Sequence, residues 1–436
     1  MAVTFSSRSR TFVNYIIPQD DVYNFKTCAF FGVFSSFSSS TSDVYKMFYS
    51  AEEVQLEFER LINPVQTIRN NDRIAWLISA ARRFFQQKPR PTKLMICRID
   101  PGAVDVSGLP EYRAALQNIF DNAPPFYACT LIDTISYNDP NIGEFISEFV
   151  KSFYEIMKAV IAKRVLFANC KDPLAAQSMA AVTDVFLYNE TCAGETNALD
   201  EDIDRVLVAY HSLNFPVGAG GGGSDVDGTG APILPFVAGS QNFDSESFSA
   251  ALMGAFFTNP FGRPLTNVTL QNVQLDPLID DVAYSTLSYG GLDSSCLFAN
   301  VFANFSLQKS TSFAQVQYGT MASSRQGKIV YLDQIITPDY AEIRTEYDAA
   351  VYLINNQVYY DSVGIVAVVN VFKNVLQSMV NVGMIQPFSN NAITYPKFNL
   401  STFDVSGRTL TPLYAEVLLA VHVQKVKIVV NLNLAQ

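Results

Sequence analysis

The chain has 436 residues, enough for roughly two to four domains and a sizeable core. Only 16% of them are charged, against about 25% in ordinary globular proteins, and 13% are aromatic, a balance that favours large protein–protein contacts. A net charge of −11 argues against nonspecific nucleic-acid binding, and two histidines, His211 and His422, leave few groups for general base or metal ligation.

The opening segment, MAVTFSSRSRTFVNYIIP, lacks the apolar stretch of a signal peptide. Val13, Tyr15 and Ile17 alternate with Asn14 and Ile16 until Pro18, which predicts a short extended arm. Residues 35–42, rich in Ser and Thr, read as a loop. Ser50 with Glu53 predicts a capping box, opening a helix that carries Val54, Leu56 and Phe58. Asp72 is expected to cap the next helix, whose Ile74, Leu77, Ile78, Ala81, Phe84 and Phe85 form one apolar stripe. Pro89 and Pro91 end it, because proline lacks the N–H and biases its predecessor to extended backbone. Residues 94–99 then read as a strand.

Between 104 and 215 the elements alternate. Helices are expected over 112–120 and 142–162, and strands over 127–135, 165–169, 182–188 and 206–210, which predicts a layered α/β fold. The Gly-rich 217–231 reads as a loop, and 243–262 as a helix carrying Phe248, Leu252, Phe256 and Phe257. A strand over 328–336 leads through Thr337 and Pro338 into a helix over 340–355. Asp361 or Ser362 caps a second helix with Ile365, Val368, Val369, Phe372, Leu376 and Met379 on one face, ending near Gly383. Residues 365–385 are interrupted by Asn370, Lys373, Asn374, Gln377 and Asn381, so they are not expected to form a simple membrane span. Last, Val426, Ile428, Val430, Leu432 and Leu434 alternate with Lys427, Val429, Asn431 and Asn433, a strand about 30 Å long. Such a strand either sits in its own sheet or is donated to a neighbour.

The chemical motifs are weak. Cys28, Cys97, Cys129, Cys170, Cys192 and Cys296 form no C-x-x-C pair and have no histidine at metal-ligand spacing; the first four lie in or beside apolar runs and read as buried free thiols. Residues 218–223, GAGGGG, satisfy G-x-G-x-x-G literally, but no strand precedes them and no helix follows. Asp225 and Asp227 stand in DVDGT, the first motif of haloacid-dehalogenase-type phosphatases, yet four glycines and Ser224 precede them where that chemistry needs a rigid apolar strand. A calcium loop fails too, since Phe236 stands where glutamate is required. His211 and His422 are expected to satisfy local hydrogen bonds or pack at a sheet edge. Arg82, Arg83, Lys88, Arg90 and Lys93 read as a solvated or subunit-facing patch, and the sequons at Asn189, Asn267, Asn304 and Asn399 as chance.

Three ordered blocks carry a resemblance. Residues 80–100, AARRFFQQKPRPTKLMICRID, resemble the FF-x-Q-x-P-x-P-K-L-x-I block of contractile phage tail sheath proteins. Tyr49 to Val54 with Phe58 resembles that family's preceding helix opening. Tyr331-Leu332-Asp333, then Tyr360-Asp361-Ser362-Val363-Gly364-Ile365, then Asn381-Val382-Gly383-Met384-Ile385 are similar to its later blocks in the same order. Asp204 to His211 also resembles a family strand ending in Tyr-His. The chain departs from the pattern at Val363, at Val382 and in its Gly-rich loop.

The resemblance implies a mixed α/β, multi-domain sheath subunit: a linking arm over 1–22, an outer and middle region over 23–310, and a C-terminal domain over 311–436 ending in a linking strand over 425–436. It implies a non-enzymatic homo-oligomer without cofactor or metal, stacked in rings around a tail tube protein and meeting baseplate and terminator proteins. Such a sheath contracts to drive the tube through the host envelope, in a virion assembled in the host cytoplasm, with no nucleic-acid binding and no membrane insertion. Val13, Tyr15 and Ile17 with Val426, Ile428, Val430, Leu432 and Leu434 are then the linking strands, and Lys373, Asn374 and Gln377 the tube-facing residues. The alternatives are a tail tube or baseplate protein, or a phosphoryl-handling enzyme using Asp225 and Asp227.

Overall fold

The structure, a computed structural model, describes residues 2–3, 25, 27–37, 44–62, 68–100, 112–132, 149, 152–153, 156–157, 163–170, 205–211, 247–257, 265, 268–273, 303–304, 306–307, 314–316, 320–325, 328–359, 361–389, 393–394, 413–415 and 417–418. The strands are β1 (Ala2–Val3), β2 (Cys28–Val33), β3 (Tyr45–Phe48), β4 (Leu94–Ile99), β5 (Ala128–Ile132), β6 (Val165–Cys170), β7 (Val206–Tyr210), β8 (Thr269–Leu270), β9 (Ala303–Asn304), β10 (Ser306–Leu307), β11 (Ala314–Val316), β12 (Thr320–Arg325), β13 (Lys328–Tyr331), β14 (Ile393–Thr394) and β15 (Leu413–Ala415). The helices are α1 (Ala51–Glu59), α2 (Ile68–Phe85), α3 (Tyr112–Asn122), α4 (Phe248–Phe257), α5 (Leu332–Asn355) and α6 (Ser362–Asn381). The mixed α/β class expected from the alternation of elements is the one observed.

Seven strands form the main sheet in the order β3-β4-β2-β5-β6-β7-β9. All neighbours are parallel except the edge pair β3–β4. From β2 the chain goes outward to β4, then crosses to β5 and runs to β7, the order of a doubly wound sheet with its switch beside β2. Both faces are covered, so β2 reads CAFFGV and is buried throughout. Phe30 meets Phe84 of α2 edge-on at 5.6 Å, while Phe31 on the opposite face meets Phe126 at 5.7 Å and Phe149 at 6.1 Å. In doubly wound folds the loop leaving this strand commonly holds a ligand; here it carries Phe34 and Phe37, whose rings close on Phe58 at 4.9 and 6.2 Å.

Helix α1 starts where expected, with Ser50 Oγ accepting from Glu53 N–H at 3.2 Å. The reciprocal bond of the box goes elsewhere: Glu53 Oε2 accepts from the N–H of Tyr49 at 2.8 Å. Val54 and Phe58 are buried, but Leu56 points outward and is 75% exposed. Asp72 does not cap α2, because that helix begins at Ile68. Its expected stripe is buried, and so are Ala75, Trp76 and Ala80, because α2 lies between the sheet and the helices α1 and α4. Each of its large apolar side chains contributes about 1.5–3 kcal/mol by leaving water.

The block after α2 has a structural purpose. The amide of Gln87 behaves like a piece of strand: Nε2 donates to Gln271 O at 2.9 Å, and Oε1 accepts from Gln271 N at 2.9 Å. Nε2 also donates to Arg83 O at 2.8 Å, closing the helix end. Arg83 Nη1 donates to Asn272 O, and Arg82 Nη2 donates to Gln55 Oε1 at 2.7 Å, so two of the five expected surface cations brace neighbouring elements. Lys88 and Arg90 are exposed, and Lys93 is half-buried.

Further along, α3, β5, β6 and β7 match the expected elements within a few residues. Phe149, Ser152, Phe153, Ile156 and Met157 are helical, as expected for 142–162. Helix α4 begins only at Phe248, because Ser247 adopts a φ of 32°, outside helical backbone. The strand expected over 328–336 stops at Tyr331, and α5 begins at Leu332, well before position 340. Pro338, expected in the link between strand and helix, stands inside α5, where burial of Leu332, Ile335 and Ile336 offsets the lost backbone donor. Asp361 caps α6, and Gly383 follows it at a φ of 79°. The regions 13–17, 182–188, 217–231 and 425–436, with Asp225, Asp227, Phe236, Cys192, Cys296 and His422, lie outside the described residues.

Helix α4 crosses α2 at its closest backbone approach. A Cβ on Gly254 would come within 2.5 Å of Phe84 O and 3.0 Å of Gln87 Cγ. Gly254→Ala is therefore expected to lower the unfolding free energy by about 1–3 kcal/mol, read as a lower denaturant midpoint.

Candidate assembly interface

Three parallel strands start from polar residues that converge on one helix. Tyr127 precedes β5, Lys163 precedes β6 and Arg205 precedes β7. All three face Asp339 in α5, which is only 2% exposed. Arg205 takes both carboxylate oxygens, Nη1 to Oδ2 at 2.6 Å and Nη2 to Oδ1 at 2.9 Å. Tyr127 Oη donates to Oδ2 at 2.7 Å, and Lys163 Nζ stands 3.8 Å from Oδ1. Lys163 also pairs with Glu342, one turn further along α5. The Phe25 ring closes the side, 4.5 Å from Tyr127 and 5.3 Å from Tyr340. Burial, and after it the Asp339 charge, raises the Tyr127 phenol well above its ordinary range, so the hydroxyl remains a donor. A carboxylate bonded in this way anchors a helix and leaves no free group for proton transfer.

That anchor holds the α5–α6 hairpin against the sheet. Ile365, Val368, Val369, Phe372, Val375, Leu376 and Met379 of α6 are buried, and the helix packs along α5. By length and composition α6 is apolar enough to cross a membrane, and 44% of its most apolar stretch is buried inside the molecule. Its outward row is uncharged: Val363, Val366, Asn370, Asn374 and Gln377 are exposed. Of the residues expected to face a tube, Asn374 and Gln377 lie on this row, and Lys373 is half-buried beside it.

The turn between the two helices is exposed and mixed in character: Ile354 at 61%, Tyr359 at 68% and Val363 at 75% stand among exposed Asn355, Asn356, Gln357 and Asp361. It is also rigid. Asp361 Oδ1 accepts from Gly364 N–H at 2.6 Å, and a Cβ on Gly364 would fall 1.9 Å from Tyr359 O, so only glycine fits.

A small antiparallel sheet, β1-β15-β14, pairs the N-terminal residues 2–3 with residues 413–415. Ala2 pairs with Tyr414 and Val3 with Leu413. Leu418 O accepts from Gln386 N–H at 2.8 Å, so the segment after β15 passes just beyond the end of α6. The expected linking residues Val13, Tyr15, Ile17, Val426, Ile428, Val430, Leu432 and Leu434 lie outside the described residues.

Of the histidines and cysteines singled out in the sequence, His211 and three of the cysteines lie among the described side chains. His211 is fully buried with its ring 5.8 Å from Phe248. Cys28, Cys97 and Cys129 are buried free thiols, and burial pushes each well above the ordinary thiol range. Among the described residues, no group of three or more His, Cys, Asp or Glu side chains is placed to hold a metal ion. The Asp339 cluster was not legible in the sequence, because its partners lie 134 and 212 positions away. The one local hint is an acid directly after Pro338 in an apolar helix start.

No protein-family model matches the sequence, and no curated protein matches it. Solved structures do. A chain of the anti-feeding prophage helical sheath in its contracted state is 14% identical, with 96% of this chain and 98% of that one covered at a TM-score of 0.54. A chain of the anti-feeding prophage baseplate is 12% identical over 94% of each chain, at 0.55. A chain of the contracted sheath complex of an extracellular contractile injection system, PVC, is 11% identical over 96% of each chain, at 0.51. The chain shares their fold over nearly its whole length.

Asp339→Ala leaves the Arg205 guanidinium and the Tyr127 hydroxyl buried without their acceptor, and is expected to cost about 3–5 kcal/mol in a denaturant titration. The Tyr127 phenol is raised in the folded state, so its contribution is fully present below the ordinary tyrosine value of about 10 and is lost as pH climbs through the folded value. Tyr127→Phe should therefore be less stable than wild type near neutrality, with a shallower fall in stability above about pH 10.

Proposed function

We propose that this chain is the structural subunit of a contractile sheath of the phage-tail type, polymerising as stacked rings around a tube and contracting to drive that tube through an envelope. The observation that carries the reading is the fold likeness to a chain of a contracted helical sheath over 96% of this chain. The ordered sequence blocks at 80–100, 331–333, 360–365 and 381–385 support it independently. So does the low charge, since a subunit that lives against copies of itself has little surface to keep wet.

In this reading, 1–22 is a linking arm, 23–310 the outer and middle region, and 311–436 the C-terminal domain. Val13, Tyr15 and Ile17, with Val426, Ile428, Val430, Leu432 and Leu434, add strands to neighbouring subunits through main-chain hydrogen bonds. Heterologous contacts of this kind repeat along a helix instead of closing. Asn374, Gln377 and Lys373 on the outer side of α6 face the tube protein. Baseplate and terminator proteins cap the ends, and the assembled particle is a virion or a related contractile machine. The reading assigns the chain no catalysis, no cofactor and no nucleic acid.

The likeness to a baseplate chain favours a second reading, in which this subunit stands in the baseplate itself. Electron microscopy of the purified chain separates the two: the sheath reading expects tubular polymers, and the baseplate reading closed rings. Deleting residues 425–436 is expected to abolish the tubes. A monomer that never polymerises and is indifferent to the deletion would overturn the proposal.

A further inference from the structure

We draw no further inference here: the strongest candidate, the uncharged outer row of α6 with Lys373 as the single charged side chain of that helix, belongs to the tube-facing surface already proposed, and nothing in the structure shows what covers it.

Discussion

The carboxylate of Asp339 joins parts of the chain that are far apart in sequence. It receives a two-point grip from Arg205 and a hydroxyl from Tyr127, with the Lys163 ammonium beside it. Each of those residues stands at the start of a parallel strand, so one side chain on α5 reads the spacing of three strands at once. A buried charge is stabilising only when fully bonded, and the arrangement leaves little tolerance for a shifted helix. The orientation of the α5–α6 hairpin, and hence of every surface on it, follows from that contact.

A second polar network works on the same principle inside the sheet. Thr130 Oγ1 donates to Phe167 O at 2.7 Å, lies 2.9 Å from Ser249 Oγ, and accepts from Asn169 Nδ2 at 3.3 Å. Asn169 Oδ1 in turn accepts from Ser249 N–H at 3.2 Å, fixing the first turn of α4 on β5 and β6. The remaining interior is aromatic. Arg164 shows how thoroughly polar groups are absorbed, lying over the rings of Phe126 at 3.7 Å and Phe120 at 4.2 Å. Residues that would suggest chemistry in another fold, such as His211 and the three buried thiols, serve packing here.

The doubly wound strand order usually reserves its switch point for a ligand, and phenylalanine rings fill the loop there. A fold best known for small-molecule sites has in this chain become a rigid block. Among the described residues, the surfaces on offer include a small sheet joining residues 2–3 to 413–415 and an uncharged outer row on α6. These features fit the proposed role of a subunit that holds other subunits, and the chain shares its fold with sheath chains over nearly its whole length.

The sequence by itself determined the local elements and their buried faces. The stripe from Ile74 to Phe85, the cap at Asp361 and the strand over 206–210 were legible because helix and strand periods depend only on neighbouring residues. Boundaries misled where packing set them, as over 332–339, read as strand and link but helical in α5, and at Asp72, which lies within α2. Only the tertiary structure decided what lies between distant segments: the pairing of Asp339 with Arg205 and Tyr127, the fit of Gly254 against Phe84, and the mimicry of a strand by Gln87. No periodicity encodes such contacts, because they arise where strand order and helix crossing bring residues together across a core.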